Sequence, residues 1–202
     1  MLFSIIYLYF SILINTPSVL LPTSNFDKFK LKVYSCNEKL KNNIHYWKAI
    51  VLYNELNQDN LLLRVQDQCI TSEVFGSLRC DCKQQLDISL SLIQNNGMLI
   101  YLPQEGRNLG LFNKILTYKL QENGFNTFDS CKFLNLPQES REYEVVKDIL
   151  DDFEINSINL ITNNTMKIEK LQKLGITINN VISINIKPNN HNQNYLDIKY
   201  NN

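Results

Sequence analysis

The sequence predicts an α/β fold: one domain on a mixed β-sheet, with a β-hairpin in its N-terminal part and helices packed on the sheet. Three observations carry this. Strand-like and helix-like stretches alternate through the second half of the chain. Met98 to Leu102 is a short, continuously apolar run, of the kind buried on both faces of a sheet. At 202 residues, 44% hydrophobic and 20% charged, the chain has the size and composition to bury one core.

Met1 to Leu21 is mostly apolar, with no charge before Asp27. It lacks the basic start of a signal peptide, and Pro17 interrupts a membrane span. Residues 1–20 are therefore expected to be an extension, a leader or an anchor, and residues 21–202 the folded domain. Phe26 to Val33 reads as a strand. Tyr46 to Leu56 and Leu61 to Val65 flank the polar Asn57-Gln58-Asp59-Asn60 and read as a β-hairpin. Its second strand delivers Arg64 and then Cys69, before a turn around Thr71-Ser72.

Gln84 to Asn95 is expected to be helical, with Leu86, Leu90 and Ile93 on one face and Gly97 just past the end. After Met98–Leu102 comes a glycine loop, then a helix to about Asn123, with Leu111, Ile115 and Tyr118 on one face and Gly124 as its stop. Glu139 to Asp151 reads as a third helix and Ser157 to Thr162 as a strand. Met166 to Leu174 reads as a helix ended by Gly175, and Val181 to Ile186 as the last strand. Beyond Lys187 the chain is a polar tail. No internal repeat or linker divides it.

Lys+Arg and Asp+Glu are equal at 20 each, so no global field would draw in nucleic acid or an anionic membrane. Anion binding must be local. Three of the five cysteines, Cys69, Cys80 and Cys82, fall in one short segment. That clustering favours metal ligation in a reducing compartment over a disulfide scaffold. Three thiolates with an open fourth position would be a catalytic zinc pattern; Cys36 or Cys131 completing the set would make it structural. Zinc deaminases also use three-ligand sites, but Cys80-Asp81-Cys82 lacks their spacing.

The loop Glu105-Gly106-Arg107 to Gly110 lies between a strand and a helix start, where N–H groups and the helix dipole favour phosphate. Arg107 and Lys114 add charge there. Thr162-Asn163-Asn164 stands in the same position after a later strand, with Lys167 one turn on. Two such loops at strand carboxyl ends point to a nucleotide cleft. Glu139-Ser-Arg141-Glu-Tyr143 reads by itself as a solvated helix start. With only two histidines in the chain, an acid/base partner must be a carboxylate, Lys or Tyr.

Arg64-Val65, Cys69-Ile70-Thr71, Gly76-Ser77-Leu78-Arg79-Cys80-Asp81-Cys82 and Gln85-Leu86 together resemble the GTP cyclohydrolase II family of riboflavin biosynthesis. Gln104-Glu105-Gly106-Arg107-Asn108-Leu109-Gly110-Leu111, Asn113-Lys114, Tyr118, Thr127, Thr162-Asn163-Asn164 and Asn194-Tyr195-Leu196-Asp197 continue the match. The resemblance implies a cytoplasmic zinc hydrolase acting on GTP with magnesium as a homodimer, or an organellar one if the extension is a leader. It implies no nucleic-acid partner, and membrane contact only if residues 1–20 are retained.

By the same resemblance, Cys69, Cys80 and Cys82 would be the zinc ligands and Arg141 the nucleophile, assisted by Glu139, with Tyr118 supporting. GTP contacts would fall on Arg64, Val65, Gln66, Asp67, Gln68, Gln85, Glu105, Gly106, Arg107, Thr127, Thr162 and Lys167. The chain departs from the family at Gln66-Asp67-Gln68, where the family has His-Ser-Glu, at Ser72-Glu73 for Gly-Asp, at Lys83 for Gly, and at Glu139 for Asp. Two rivals stand beside this reading. One is a family member that keeps zinc and nucleotide cleft but turns over slowly or not at all. The other is a structural zinc module, which zero net charge disfavours.

Overall fold

Leu61–Asp67 (β5) and Met98–Leu102 (β6) are almost wholly withdrawn from water, and the sheet is assembled around them. The structure, a computed structural model, describes residues 13–36 and 45–193. The other strands are Leu13–Asn15 (β1), Val19–Pro22 (β2), Lys28–Cys36 (β3), Trp47–Tyr53 (β4), Ser157–Ile161 (β7) and Thr177–Ile182 (β8). Their order is β1-β3-β4-β6-β5-β7-β8, with β2 also paired to β3. From β1 to β6 the neighbours are antiparallel; β6, β5, β7 and β8 run parallel. The sheet is mixed, as expected.

The expected hairpin between Tyr46–Leu56 and Leu61–Val65 does not form, because β6 lies between those two strands. Met98, Leu99, Ile100 and Leu102 are at most 1% exposed, and such a run is stable only with a partner on each side. The polar linker turns to other work. The Gln58 carbonyl accepts from the amides of Asn156 and Ser157, and Asp59 accepts from Asn156, closing the lower end of β7. The N-terminal part does pair antiparallel, through β2–β3 and β3–β4. β1 and β2 bring residues 13–22 onto the outer edge of β3; residues 1–12 lie outside the described residues.

The helices are Ile70–Glu73 (α1), Cys82–Ile93 (α2), Glu105–Asn108 (α3), Gly110–Glu122 (α4), Thr127–Phe133 (α5), Glu144–Asp152 (α6) and Thr165–Lys173 (α7). One face of the sheet buries Val51, Leu61, Leu63, Val65, Ile100 and Leu160 against Val146, Ile149 and Leu150 of α6 and Leu171 of α7. The other buries Phe29, Leu99 and Ile161 with Leu86, Leu90 and Ile93 of α2. Helices therefore cover both faces. Among the described residues no helix is long and apolar enough to cross a membrane.

The last strand lies four residues earlier than Val181–Ile186, where Thr177–Ile182 pairs with β7. The third helix begins at Glu144 rather than Glu139. The backbone before it is bonded elsewhere: the Ser140 amide donates to the Arg107 carbonyl, and the Glu142 amide to the side chain of Gln104. A helix starting at Glu139 would need the Glu142 amide for the Gln138 carbonyl. Gly97 separates α2 from β6, and a Cβ there would stand 2.8 Å from both the Ile93 Cβ and the Leu62 carbonyl oxygen. Gly97→Ala is expected to lower stability by about 1–3 kcal/mol through overpacking. Denaturant unfolding measures it, and an unchanged midpoint would contradict the close approach.

Candidate active site

In a strand, neighbouring side chains point to opposite faces. Leu61, Leu63 and Val65 of β5 enter the α6 side of the core, while Leu62 belongs to the α2 side. Arg64 and Gln66 continue the α2 side and Asp67 the α6 side, so the last residues of β5 serve two different neighbourhoods. Both open into one cleft of about 1410 Å³ at the carboxyl ends of β5, β6 and β7. That is the position at which open α/β sheets bind ligands.

On the α2 side Arg64 is buried at 6% exposure. Its Nε and Nη2 donate to Gln66 Oε1 at 3.0 and 2.7 Å, Nη2 also to Gln85 Oε1 at 2.8 Å, and Nη1 to the Ile161 carbonyl at 3.1 Å. Burial lowers its pKa from the ordinary arginine value. Gln66 passes the chain on, its Nε2 donating to Glu73 Oε1 at 2.7 Å. The other Glu73 oxygen accepts from the Cys69 amide at 3.2 Å and from the Tyr101 hydroxyl. The network ends at a cysteine.

Cys69, at the start of α1, Cys80, in the turn before α2, and Cys82, its first residue, place their sulfurs within 4.8 Å of one another. Cys69 and Cys80 are 3.6 Å apart. Hydrogen bonds from Cys80 and Cys82 hold Cys69 far below the usual thiol range, and Lys114 Nζ adds to this at 3.1 Å. Sharing protons with Cys69 pushes Cys80 and Cys82 up. Four sulfurs arranged tetrahedrally about 2.3 Å from zinc would stand about 3.8 Å apart, so this set fits such an ion. Cys131 lines the same cleft but lies outside the cluster, as does Cys36. The Ser72 and Lys83 substitutions are accommodated: both residues are helical, and Ser72 Oγ accepts from the Lys83 amide at 3.1 Å.

The glycine loop has three consecutive residues in the left-handed region, Gly106, Arg107 and Asn108. Glu105 uses its carboxylate locally, accepting from the amides of Ile70 at 2.7 Å and Gly106 at 3.1 Å and from Lys114 Nζ at 2.7 Å. Lys114 is thus committed to Glu105, Thr71 and Cys69. The loop also grips the segment before α6: Arg107 Nη1 donates to the Gln138 carbonyl at 3.2 Å and Asn108 to the Ser140 carbonyl at 2.9 Å. That grip positions Arg141.

On the α6 side Arg141 donates from Nε to Glu139 Oε1 at 2.8 Å, from Nη2 to Glu139 Oε2, and from Nη1 to Asp67 Oδ2 at 3.1 Å. Burial opposes its charge, yet the Glu139 hydrogen bonds hold it more firmly protonated than an ordinary arginine. Burial likewise opposes charge on Glu139 and Asp67, but Arg141 for the first, and Lys167 with Arg141 for the second, keep both below the usual carboxylate range. Burial, opposed by Asp67 and aided by Arg64 and Arg141, brings Lys167 down to about 8. Its Nζ lies 2.7 Å from the Val65 carbonyl and 2.9 Å from Asp67 Oδ2.

Of the residues singled out in the sequence, Arg64, Gln66, Asp67, Gln68, Gln85, Glu105, Gly106, Arg107, Tyr118, Thr127, Glu139, Arg141, Thr162, Lys167 and the three cysteines all line the cleft. Val65 does not, and offers only its carbonyl to Lys167. Thr127 opens α5 behind the Asn126 cap, and Asn164 caps α7. Asn194 to Asp197 lie outside the described residues. Sequence reasoning named Glu73, Gln104 and Tyr143 within motifs but gave them no part in the site. None of the three lies in a strand, so no periodicity marks them, and only the fold shows what they reach.

Gln66→Leu would leave two Arg64 donors and one Glu73 acceptor without this partner. It is expected to cost about 1.5–3 kcal/mol, the range for hydrogen bonds to charged groups. An unfolding midpoint equal to the parent's would contradict the network.

Residues 15–183 match the model of the family described as GTP cyclohydrolase II. Among curated relatives, the GTP cyclohydrolase-2 of Campylobacter hominis is 40% identical over 179 residues, 88% of each chain. That of Helicobacter hepaticus is 41% identical over 183 residues, 89% of this chain and 91% of the relative. The riboflavin biosynthesis protein RibBA of Bacillus subtilis is 36% identical over 185 residues, 91% of this chain and 46% of that longer protein. With a family match across most of its length, set on a cleft that joins a thiolate cluster to an arginine–carboxylate pair, the chain belongs to the GTP cyclohydrolase II family.

Proposed function

We propose that this protein hydrolyses GTP to 2,5-diamino-6-ribosylamino-4(3H)-pyrimidinone 5′-phosphate, formate and diphosphate, the first step of riboflavin biosynthesis. One observation carries the reading: a single cleft holds three sulfurs within 4.8 Å of one another and, across β5, an arginine forked onto a carboxylate. The names of the relatives, GTP cyclohydrolase-2 and riboflavin biosynthesis protein, agree with it.

Cys69, Cys80 and Cys82 would hold zinc, which supplies a nucleophile at neutral pH for opening the imidazole ring of guanine. The remaining steps belong to the chain. Arg141 would attack the α-phosphorus, forming an N–P bond as the P–O bond to diphosphate breaks, and water would then cleave the N–P bond to release the 5′-phosphate and restore Arg141. Glu139, hydrogen-bonded to two nitrogens of that guanidinium and kept ionised, would take the proton. Lys167 would neutralise charge on the phosphates, and magnesium would arrive with the triphosphate. The homodimer this reading includes would cover exposed apolar side chains such as Phe75 or Phe112, each 77% exposed.

Cys82→Ser is expected to lose bound zinc and formate release together, measured by metal analysis and formate assay. Full formate release without zinc would remove the metal role. Arg141→Ala is expected to abolish diphosphate release with zinc content unchanged, and diphosphate at the parent rate would remove the nucleophile role. Lys167 binds an anion only when charged, and it deprotonates with a pKa of about 8. kcat/KM for GTP is therefore expected to fall above pH 8, approaching tenfold per pH unit. The stability effect has the opposite direction. Between its folded value and the ordinary 10.5 the unfolded chain holds the Lys167 proton more tightly, so this group's contribution to stability rises with pH. A kcat/KM that stays flat to pH 9 would contradict the Lys167 role.

A further inference from the structure

Asp67 is a largely buried carboxylate, its side chain 11% exposed, that neither the metal cluster nor the Arg141–Glu139 pair requires. Three donors converge on its Oδ2: Lys167 Nζ at 2.9 Å, Arg141 Nη1 at 3.1 Å and the Tyr143 hydroxyl at 3.1 Å. Two cations and a hydroxyl around one terminal oxygen form a receptor for a phosphate oxygen. We infer that the Asp67 carboxylate occupies the place of a substrate phosphate oxygen between Arg141 and Lys167, and that a bound polyphosphate displaces it from both cations. The inference rests on the GTP reading of the cleft and adds to it how the anion gains entry.

The asymmetry of the Arg141 contacts shows which one yields. Glu139 holds Arg141 through Nε, Nη2 and the backbone amide, a lock between residues two apart in sequence. Asp67 reaches it from the end of β5 through Nη1 alone. A phosphate can meet this guanidinium at Nη1 without disturbing the Glu139 fork, provided Asp67 leaves. Lys167 is in the same position: one of its contacts is the Val65 carbonyl, part of the β5 backbone, and the other is Asp67.

The displaced carboxylate has somewhere to go. Gln104 Nε2 already stands 3.5 Å from Oδ1, and Tyr143 is a neutral donor that can follow it. In the free protein Asp67 compensates two cations, the buried Lys167 and the partly buried Arg141, that would otherwise repel each other. In the complex the phosphate takes over that compensation, and the carboxylate left nearby opposes binding as a like charge.

The test uses inorganic diphosphate and the zinc-loaded protein, comparing the parent with Asp67→Asn at fixed pH and ionic strength. Asparagine keeps the size and an acceptor oxygen but removes the competing charge. Titration calorimetry is expected to show diphosphate bound about tenfold or more tightly by the variant. Diphosphate should also raise the variant's melting temperature more than the parent's, and KM for GTP should fall. Affinity equal to or weaker than the parent's, or no diphosphate binding by either protein, overturns the inference. So does a lowered kcat at unchanged KM, the signature of a carboxylate that stays and orients Arg141.

Should the variant not fold, the parent crystallised with diphosphate decides. A phosphate oxygen at Arg141 Nη1 with Asp67 moved off supports displacement, and Asp67 still bound to both cations overturns it. Failure to release formate from GTP while diphosphate still binds would count against the cyclohydrolase reading and leave this one standing.

Discussion

The alternation of side chains along β5 is the constraint on which the site depends. A strand buried on both faces must send neighbouring residues in opposite directions, and here the last polar ones serve two chemistries. Arg64 and Gln66 lead through Glu73 to Cys69, whereas Asp67 leads to Arg141, Lys167 and Tyr143. A slip of one residue in register would exchange the two sets. The pairing of β5 with β6 and β7 on either side prevents it.

Burying charge is costly unless each donor and acceptor finds a partner. Arg64 donates to two glutamines and a carbonyl. Arg141 is held by two carboxylates, and Lys114 bridges Glu105, Thr71 and Cys69. All of these partners except Asp67 also fix the geometry of the reacting groups. The glycine loop, whose left-handed backbone suits Gly106, contributes by clamping residues 138–140 and so aiming Arg141 at the cleft. Lys114 supports the thiolate cluster from the same side.

Much of this was legible in the sequence. The apolar run Met98–Leu102 gave its own burial, and Leu86, Leu90 and Ile93 gave the face of α2. The cysteine spacing gave the metal candidate. What failed was partner choice. Adjacent strands with a polar linker look like a hairpin, and nothing local reveals that β6, thirty-odd residues later, inserts between them. The irregular segment Glu139–Tyr143 was hidden for a similar reason, since its charge pattern suits a helix and its backbone partners come from the loop after β6. Gln66 read as a lost titratable group, but its amide joins a guanidinium to a carboxylate, a task that needs both a donor and an acceptor.

The central claim is that the two sides of β5 act on one substrate molecule. Its most direct test is to supply GTP and magnesium to the zinc-loaded parent protein and measure diphosphate and formate separately over the same time course. The account predicts both products in equal amount. Diphosphate without formate would contradict the claimed coupling on the thiolate side, and GTP bound with neither product released would contradict the assignment as a working cyclohydrolase.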